Sequence, residues 1–469
     1  MKIFSKRFFS VLVSSILYFS IFELSAETIV KQYDEGSVYE GEFKNGLRNG
    51  PGKYTMPDGF VFEGTWVDDQ IQGAGIARYP TGQIYEGLFR QGVPHGKGSM
   101  TFADGTVYQG SWLNGKMEGD GSLSITNGSK FVGKFIENNR NGYGEMTYAD
   151  GSIFKGNWKE NEKNGNGILI YKDKTTYEGN WVLGLQEGFG KLTTSEGVVL
   201  EGEWKSGKIN GIGKLIQANG DRYEGSLENW KRSGKGVSIY TTGEKYDGNF
   251  KNDLRDGYGI LVGLDGFRYE GNWSNGKMEG FGKITYSSGS SYEGNFLKNQ
   301  PSGQGKIIFS DGGSYEGSWE NGVIEGTGLA KYANGLIYEG EFSRGKNSGS
   351  GKMTYTDGYT YSGDWKNGIQ EGIGKETFPN GTIYEGKFKN NQRHGKGTLR
   401  MVDGFLYEGN WVSGEMSGEG KVNYANGDVY VGYFLNGKRD GKGVMSFKDG
   451  TKVNTEWKNG KKIGPPKND

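Results

Sequence analysis

A unit of 23 residues repeats 18 times, without insertion or deletion, over residues 39–452. An aromatic residue opens 17 of the 18 units, beginning with Tyr39. Glycine stands two, eleven and thirteen places after the start of every unit, as Gly41, Gly50 and Gly52 do in the first. A fixed period of this length indicates a repeat architecture, in which each unit is stabilised mainly by its neighbours.

Each unit has the pattern of a β-hairpin. In the unit that begins at Tyr269, apolar residues and glycine alternate with polar ones over Tyr269–Trp273, which is typical of a half-buried strand. Gly271 shares the face of the two rings. We expect a second strand over Gly282–Tyr286, a loop containing Gly280 before it, and a turn over 287–291 into the next unit.

Turn residues also recur at a fixed place. The residue seven places after the start is Gly in eleven units and Asn or Asp in six, with Trp230 as the exception. These residue types tolerate positive φ, so the pattern predicts a left-handed turn there. We interpret every proline of the array as a loop residue: Pro51, Pro57, Pro80, Pro94, Pro301 and Pro379.

A second ring stands four places after the start in 17 of the 18 units. Representative pairs of first and second rings are Tyr39 and Phe43, Phe62 and Trp66, Tyr269 and Trp273, and Tyr407 and Trp411. A glycine on the same face lets a neighbouring ring lie flat over the backbone. We therefore predict an aromatic seam over glycines as the core. The fold class is all-β: an elongated single-layer antiparallel sheet of tandem hairpins, forming a curved and twisted rod.

The first 26 residues resemble an export signal. Lys2, Lys6 and Arg7 precede an uncharged, largely apolar run over Phe8–Phe22, and Ala26 offers a small residue at a cleavage position. The run is shorter than the about 20 residues that a spanning helix needs. We predict a short helical signal segment that is cleaved after Ala26, with an uncleaved membrane anchor as the alternative.

These boundaries divide the chain into a signal peptide (1–26), a partial capping repeat (27–38), the array (39–452), and a partial capping repeat with a polar tail (453–469). Export without any cysteine suits the periplasm or the surface of a bacterium, or the medium outside it.

The composition excludes most catalytic chemistry. The chain has no cysteine and only two histidines, which excludes a disulfide framework, a thiolate nucleophile and a zinc cluster. His95 and His394 occupy equivalent places and are interpreted as loop residues. Because 56 basic residues balance 56 acidic ones, we do not expect a nucleic-acid binder. We predict no enzyme activity, catalytic residue, cofactor or metal.

Charged residues suggest two further features, and an irregularity of the repeat pattern suggests a third. Glu follows the start residue in 12 units and Lys stands fourteen places after it in eight, as in Glu40 and Lys53, so we predict cross-strand pairs on a solvated face. The stretch 174–230, where the pattern is irregular, is a candidate bend or partner site. The basic end, formed by Lys458, Lys461, Lys462 and Lys467, is either a polar cap against edge pairing or a contact for an anionic surface.

The segment Tyr407–Gly420 reads YEGNWVSGEMSGEG, and this pattern resembles the MORN repeat, the membrane occupation and recognition nexus. The resemblance covers residues 39–452. It implies hairpins in an elongated sheet, and roles in scaffolding, dimerisation and attachment to membranes or partner proteins. Such repeats accompany a catalytic domain in plant phosphatidylinositol phosphate kinases and some lysine methyltransferases, but the array here leaves no room for one.

The leading hypothesis is therefore a non-catalytic, exported scaffold that binds a protein partner or associates with itself as a homodimer. The first alternative is peripheral binding to a phospholipid membrane, against which the balanced charge and the lack of a dense basic face stand. The second is a cell-wall or glycan-binding module, which would need aromatic side chains exposed as cages rather than buried in the seam.

Overall fold

A computed structural model describes residues 27–464, and every regular element in that range is a β-strand. The signal helix predicted for residues 1–26, its cleavage site after Ala26, and Lys467 lie outside the described residues. In residues 27–464 there is no helix long and apolar enough to cross a membrane. The predicted all-β fold of tandem antiparallel hairpins is confirmed, whereas the curved rod stays a prediction.

The chain forms two compact units that meet in sequence between Gly190 and Lys191. Consecutive strands pair antiparallel in each. The first fifteen strands are β1 (Ile29–Gln32), β2 (Val38–Lys44), β3 (Leu47–Thr55), β4 (Val61–Val67), β5 (Gln70–Arg78), β6 (Ile84–Arg90), β7 (Val93–Thr101), β8 (Val107–Leu113), β9 (Lys116–Ser124), β10 (Lys130–Ile136), β11 (Asn139–Thr147), β12 (Ile153–Lys159), β13 (Glu162–Ile170), β14 (Thr176–Val182) and β15 (Leu185–Thr193).

The remaining strands are β16 (Val199–Lys205), β17 (Lys208–Ile216), β18 (Arg222–Glu228), β19 (Lys231–Ile239), β20 (Lys245–Lys251), β21 (Leu254–Val262), β22 (Arg268–Ser274), β23 (Lys277–Thr285), β24 (Ser291–Leu297), β25 (Gln300–Ile308), β26 (Ser314–Glu320), β27 (Val323–Lys331), β28 (Ile337–Ser343), β29 (Lys346–Thr354), β30 (Thr360–Lys366), β31 (Ile369–Thr377), β32 (Ile383–Lys389), β33 (Gln392–Arg400), β34 (Leu406–Val412), β35 (Glu415–Asn423), β36 (Val429–Leu435), β37 (Lys438–Ser446), β38 (Lys452–Lys458) and β39 (Lys461–Gly464).

A two-residue turn closes each hairpin. In the first, Asn45 has φ 53° and Gly46 has φ 82°, and the flanking Lys44 and Leu47 are paired. Two positive φ values in a two-residue loop define the type I′ turn, whose twist matches that of the strands. The predicted left-handed residue is confirmed, and Trp230 adopts it too, with φ 72°.

Because this turn is so short, the second strand begins earlier than expected. β23 begins at Lys277, and the sequence had indicated Gly282. Gly280, which lies between Lys277 and Gly282, is part of a β-bulge and not of a loop. The strand register shifts between Gly271 and Trp273, and Gly280 on the opposite strand has φ 73°. Gly50 has the same place and a φ of 77°.

A five-residue turn joins each hairpin to the next. In residues 56–60, the N–H of Met56 donates to the carbonyl of Phe60 at 2.8 Å, and the N–H of Gly59 donates to the carbonyl of Met56 at 3.1 Å. The Asp58 carboxylate accepts the N–H of Phe60 at 2.9 Å. The Asp or Asn that recurs at this place thus stabilises the connection.

The interpretation of all prolines as loop residues is wrong for three of them. Pro57, Pro80 and Pro379 lie in turns between hairpins. Pro51, Pro94 and Pro301 lie inside β3, β7 and β25.

Hydrogen bonding explains why a strand tolerates proline nine places after the start. In six other repeats the N–H at this place donates to the Asp or Asn of the next turn, as Arg48 does to Asp69 at 2.8 Å. After Pro94 and Pro301 the next turn carries Gly115 and Gly322, which have no side-chain acceptor. A proline there therefore sacrifices no such hydrogen bond.

Candidate interaction surface

The hairpins have two chemically different faces. The aromatic face carries the rings at the start of each repeat and four places later. The polar face carries the side chains one, three, twelve and fourteen places after the start. Of the seam residues predicted from the sequence, Phe43 is half-buried and the others are buried: Tyr39, Phe62, Trp66, Tyr269, Trp273, Tyr407 and Trp411.

On the aromatic face, each opening ring lies directly over two glycines. Gly271 and Gly282 are paired across the hairpin under the ring of Tyr269. A Cβ atom on Gly282 would lie 2.5 Å from Tyr269 Oη, and one on Gly271 would lie 2.5 Å from the Gly282 Cα atom. Gly41 and Gly52 lie in the same way under Tyr39. The Tyr269 hydroxyl donates to the carbonyl of Asn272 at 2.8 Å, which fixes the ring.

Ring contacts connect one repeat to the next. The Tyr269 ring lies edge-to-face with Trp273 of its own repeat, at a centroid distance of 5.1 Å, and with Phe296 of the next, at 5.2 Å. The Trp273 indole N–H also donates to the carbonyl of Gly259 in the preceding repeat at 3.3 Å. The rings therefore supply both the core of a repeat and its contacts with the neighbouring repeat.

Basic side chains nine places after the start cover several of these rings. The guanidinium carbon of Arg48 lies 4.2 Å from the Trp66 ring centroid, and that of Arg439 lies 3.4 Å from the Trp457 ring centroid. Burial lowers the pKa of Arg140 at the same place. The rings of the seam are thus covered by the chain's own packing, whereas the side chains twelve places after the start are exposed on the polar face.

Burial also changes the acidity of the seam tyrosines. It raises the pKa of Tyr108 and of Tyr407 to about 12. These hydroxyls already donate to backbone carbonyls at 2.9 and 2.8 Å. They are therefore packing groups and not acid–base groups.

The polar face carries the predicted ladder of Glu and Lys. Lys283 is paired in register with Glu270 of its own hairpin, as expected, and also with Glu293 of the next repeat. The ion pair forms with Glu293, at 3.7 Å, and Lys306 forms the equivalent bond with Glu316 of the next repeat at 3.0 Å. Because all these side chains are about half exposed, such a pair contributes only about 0–1 kcal/mol.

Sequence reasoning missed a set of exposed rings on the polar face. The exposed fractions are 62% for Tyr143, 61% for Phe189, 51% for Tyr258, 57% for Phe281 and 48% for Tyr433. All but Tyr433 stand twelve places after the start, between the glycines at the eleventh and thirteenth places. Side chains alternate between the two faces of a strand, and the glycines at the eleventh and thirteenth places belong to the aromatic face. The sequence therefore contains the signal that a ring at the twelfth place lies on the polar face.

Two grooves run along the polar face, and the backbone of the paired glycines forms part of their lining. In the compact unit that ends at Gly190, a groove of about 1060 Å³ runs from Glu86 to Gly133. In the compact unit that begins at Lys191, a groove of about 870 Å³ is lined by Lys421, Tyr433 and Val444, among others. Both grooves extend over several strands.

The remaining candidate residues are dispersed. Lys458 forms an ion pair with Asp440 at 3.7 Å, and Lys461 and Lys462 are exposed on the last strand. His95 and His394 lie in strands β7 and β33, so their interpretation as loop residues is wrong because the hairpin turn has only two residues.

Two further observations concern the irregular stretch and metal sites. The boundary between the two compact units falls inside the stretch 174–230. There Trp230, in its unusual turn, places its ring 4.9 Å from that of Trp204. Within residues 27–464 there is no group of three or more His, Cys, Asp or Glu side chains that could hold a metal ion.

The regular hairpins define a tandem β-repeat protein, and the sequence pattern identifies its family. The MORN repeat matches the chain in eighteen segments: 39–61, 62–84, 85–107, 108–130, 131–153, 154–176, 177–199, 201–222, 223–245, 246–268, 269–291, 292–314, 315–337, 338–358, 361–383, 384–405, 407–429 and 430–452. The chain belongs to the MORN repeat family. No curated protein matches it.

Several solved structures are similar in part. The TCP domain of SAS-4 from Drosophila melanogaster, in complex with a proline-rich motif of Ana2, is 14% identical, with 41% of this chain and 96% of that chain covered and a TM-score of 0.22. The TCP10 domain of CPAP from Danio rerio, with a STIL peptide, is 11% identical over 57% of this chain and 94% of that one, with a TM-score of 0.20. A streptogramin B lyase is 16% identical over 62% and 90%, with a TM-score of 0.11.

Proposed function

We propose that this protein is a non-catalytic, exported MORN-repeat scaffold that presents its polar face to a protein partner. The observation that carries the proposal is the division of labour between the two faces. The rings and basic side chains of the aromatic face are occupied by packing within and between repeats. The polar face carries an exposed side chain twelve places after the start of every repeat, and it is grooved at two places along the array.

A cross-linking experiment tests which face binds. The chain has no cysteine, so each single-cysteine variant carries one unique thiol. Lys306→Cys places the thiol on the polar face, and Ser288→Cys places it in an exposed turn between hairpins as a matched control. In intact cells, a bifunctional thiol- and amine-reactive reagent is expected to give a discrete adduct from the first variant and not from the second.

The outcomes separate the candidate functions. An adduct with a second copy of the chain would identify self-association as the role of the polar face. Equal adducts from both positions, or none from several polar-face positions, would contradict the proposal. Turnover of a substrate by the purified protein would contradict its non-catalytic part.

Peripheral binding to phospholipid is the second candidate, supported by the exposed Lys461 and Lys462 at the last strand. Co-sedimentation with anionic liposomes tests it. Pelleting at low salt that is lost at high salt, and lost in the variant Lys461→Gln/Lys462→Gln, would favour the membrane role.

The export part of the proposal predicts a mature protein that begins at Glu27. Intact-mass spectrometry of the protein in the exported fraction would test this start.

A further inference from the structure

One row of the polar face is uncharged over eight consecutive strands. It consists of the third-place residues of the first strands and the twelfth-place residues of the second strands. From β20 to β27 it contains Asn249, Tyr258, Asn272, Phe281, Asn295, Gln304, Ser318 and Thr327. Lys235 and Glu341 stand at its two ends. We call these eight residues the uncharged row.

Rings and amides alternate in the first half of the uncharged row. Tyr258 is the direct cross-strand partner of Asn272, and Phe281 is that of Asn295. Since neighbouring strands are ~4.8 Å apart, the two rings stand roughly 10 Å apart, with one amide between them. Both rings are more than half exposed.

Hydrogen bonds hold these groups in place. The Asn249 side-chain N–H donates to the carbonyl of Tyr258 at 3.1 Å, and that of Asn272 donates to the carbonyl of Phe281 at 3.4 Å. The Tyr258 hydroxyl donates to the Glu270 carboxylate at 2.6 Å, which anchors the ring by its edge. Within residues 27–464, the Oδ1 atoms of Asn249 and Asn272 accept no hydrogen bond, and the rings of Tyr258 and Phe281 are exposed.

We infer that the uncharged row binds a neutral, extended β-1,4-linked polysaccharide, with sugar rings stacked on Tyr258 and Phe281. A pyranose ring has an apolar C–H face for an aromatic ring and a rim of hydroxyls for amides such as Asn272. In an extended β-1,4 chain every second sugar presents the same face, and that repeat is comparable to the spacing of two strands. The inference rests on the proposed role of the polar face as the binding surface.

Other ligands suit this row less well. An anionic lipid or a nucleic acid would need basic side chains, and the row contains none. An extended peptide gains most of its affinity from backbone hydrogen bonds at a sheet edge, whereas these residues lie on strands that are paired on both sides. Recognition by side chains alone, through exposed rings and hydrogen-bonded amides, suits a neutral ligand rich in hydroxyl groups.

Retention on insoluble polysaccharides tests the inference with the full exported protein. Two arms, chitin and cellulose, are neutral β-1,4-linked polysaccharides that differ in their substituents. The third is purified peptidoglycan, whose β-1,4-linked glycan also carries charged peptides. At least one arm is expected to retain the protein equally at low and high salt. The single variants Tyr258→Ala and Phe281→Ala are each expected to bind about tenfold more weakly, and the double variant is not expected to be retained.

Two control variants separate stacking from a general loss of structure. Tyr258→Phe keeps the ring and loses only its hydrogen bond to Glu270, so it is expected to bind much more strongly than Tyr258→Ala. Tyr433→Ala removes an equally exposed ring that stands between Glu419 and Lys442, and it is also expected to bind normally.

Three results would overturn the inference: no retention in any arm, binding that high salt abolishes, or equal weakening by Tyr258→Ala and Tyr433→Ala. If no arm retains the protein while Lys306→Cys still cross-links to a partner protein, the polysaccharide inference fails and the proposed scaffold function stands.

Discussion

Replacing a glycine under an opening ring should destabilise its repeat through a steric clash with the ring. In Gly282→Ala, the new Cβ would lie 2.5 Å from Oη, 2.7 Å from Cε2 and 2.8 Å from Cζ of Tyr269. The ring is fully buried and is confined by Trp273 and Phe296 at centroid distances of 5.1 and 5.2 Å. It cannot move aside without disturbing the contacts with the next repeat.

The expected cost combines two effects. Overpacking of a filled core costs about 1–3 kcal/mol. Displacing the Tyr269 hydroxyl from the carbonyl of Asn272, 2.8 Å away, costs about 0.5–1.5 kcal/mol more. We therefore expect Gly282→Ala to lower the local free energy of unfolding by about 2–4 kcal/mol.

A double-mutant cycle isolates the clash. In Tyr269→Leu, the group that the alanine would meet is absent. We expect the alanine to cost about 1–3 kcal/mol less in the leucine background than in the wild type.

Hydrogen exchange read by mass spectrometry is the suitable assay, because long repeat arrays need not unfold in one step. Peptides from β22 to β24 should exchange faster in Gly282→Ala, while peptides from β4 and β5 serve as the internal control. Unchanged exchange at β22–β24, or effects of the two substitutions that add to within about 0.5 kcal/mol, would refute the steric explanation.

Three further predictions follow from single contacts. Asp253→Gly removes the acceptor for the Arg232 backbone N–H (2.9 Å) and Nε–H (3.4 Å) and should cost about 1–2 kcal/mol by hydrogen exchange at β19, whereas Asp253→Asn should cost less; equal effects would contradict this. Lys306→Ala breaks an exposed 3.0 Å ion pair and should lower stability by no more than about 1 kcal/mol at any salt concentration, and a larger loss would show that the pair is not a weak surface contact. Burial raises the pKa of Tyr108 and Tyr407 to about 12, so the folded state holds these protons more tightly than the unfolded chain, in which the pKa is about 10. Their stabilising effect should be complete below pH ~10 and lost as the pH rises towards about 12. The difference in tyrosinate absorbance between the wild type and the variants Tyr108→Phe and Tyr407→Phe isolates these two groups, and their ionisation should appear together with the loss of β-sheet circular dichroism. Ionisation of these two groups near pH ~10 without unfolding would contradict the prediction.

Much of the fold could be predicted because its determinants are local and periodic. The alternation over Tyr269–Trp273 indicates a strand, and the glycine seven places after a start indicates a left-handed turn. The extent of the second strand could not be predicted in this way. Gly280 has the residue type of a loop but lies in a bulge, whose conformation depends on pairing with the opposite strand.

The polar face was harder to predict because several of its places, the twelfth above all, change residue type from repeat to repeat. The sequence pattern concerns the rings at the start of each repeat and four places later, whereas Tyr258 and Phe281 stand twelve places after the start, on the opposite face. The sheet register determines which rings are exposed and which Glu forms an ion pair with each Lys. The sequence indicated Glu270 with Lys283, but Lys283 also faces Glu293 of the next repeat and forms its ion pair there.

The two faces therefore carry different kinds of information. The aromatic face has nearly the same residues in every repeat, so it can specify the stacking of hairpins but cannot distinguish one position along the array from another. The twelfth place varies, from Tyr258 and Phe281 to Ser350 and Lys396. Any ligand that binds at a defined position must be recognised through such variable places. The specificity of this protein should accordingly depend on the polar face, while its stability depends on the aromatic one.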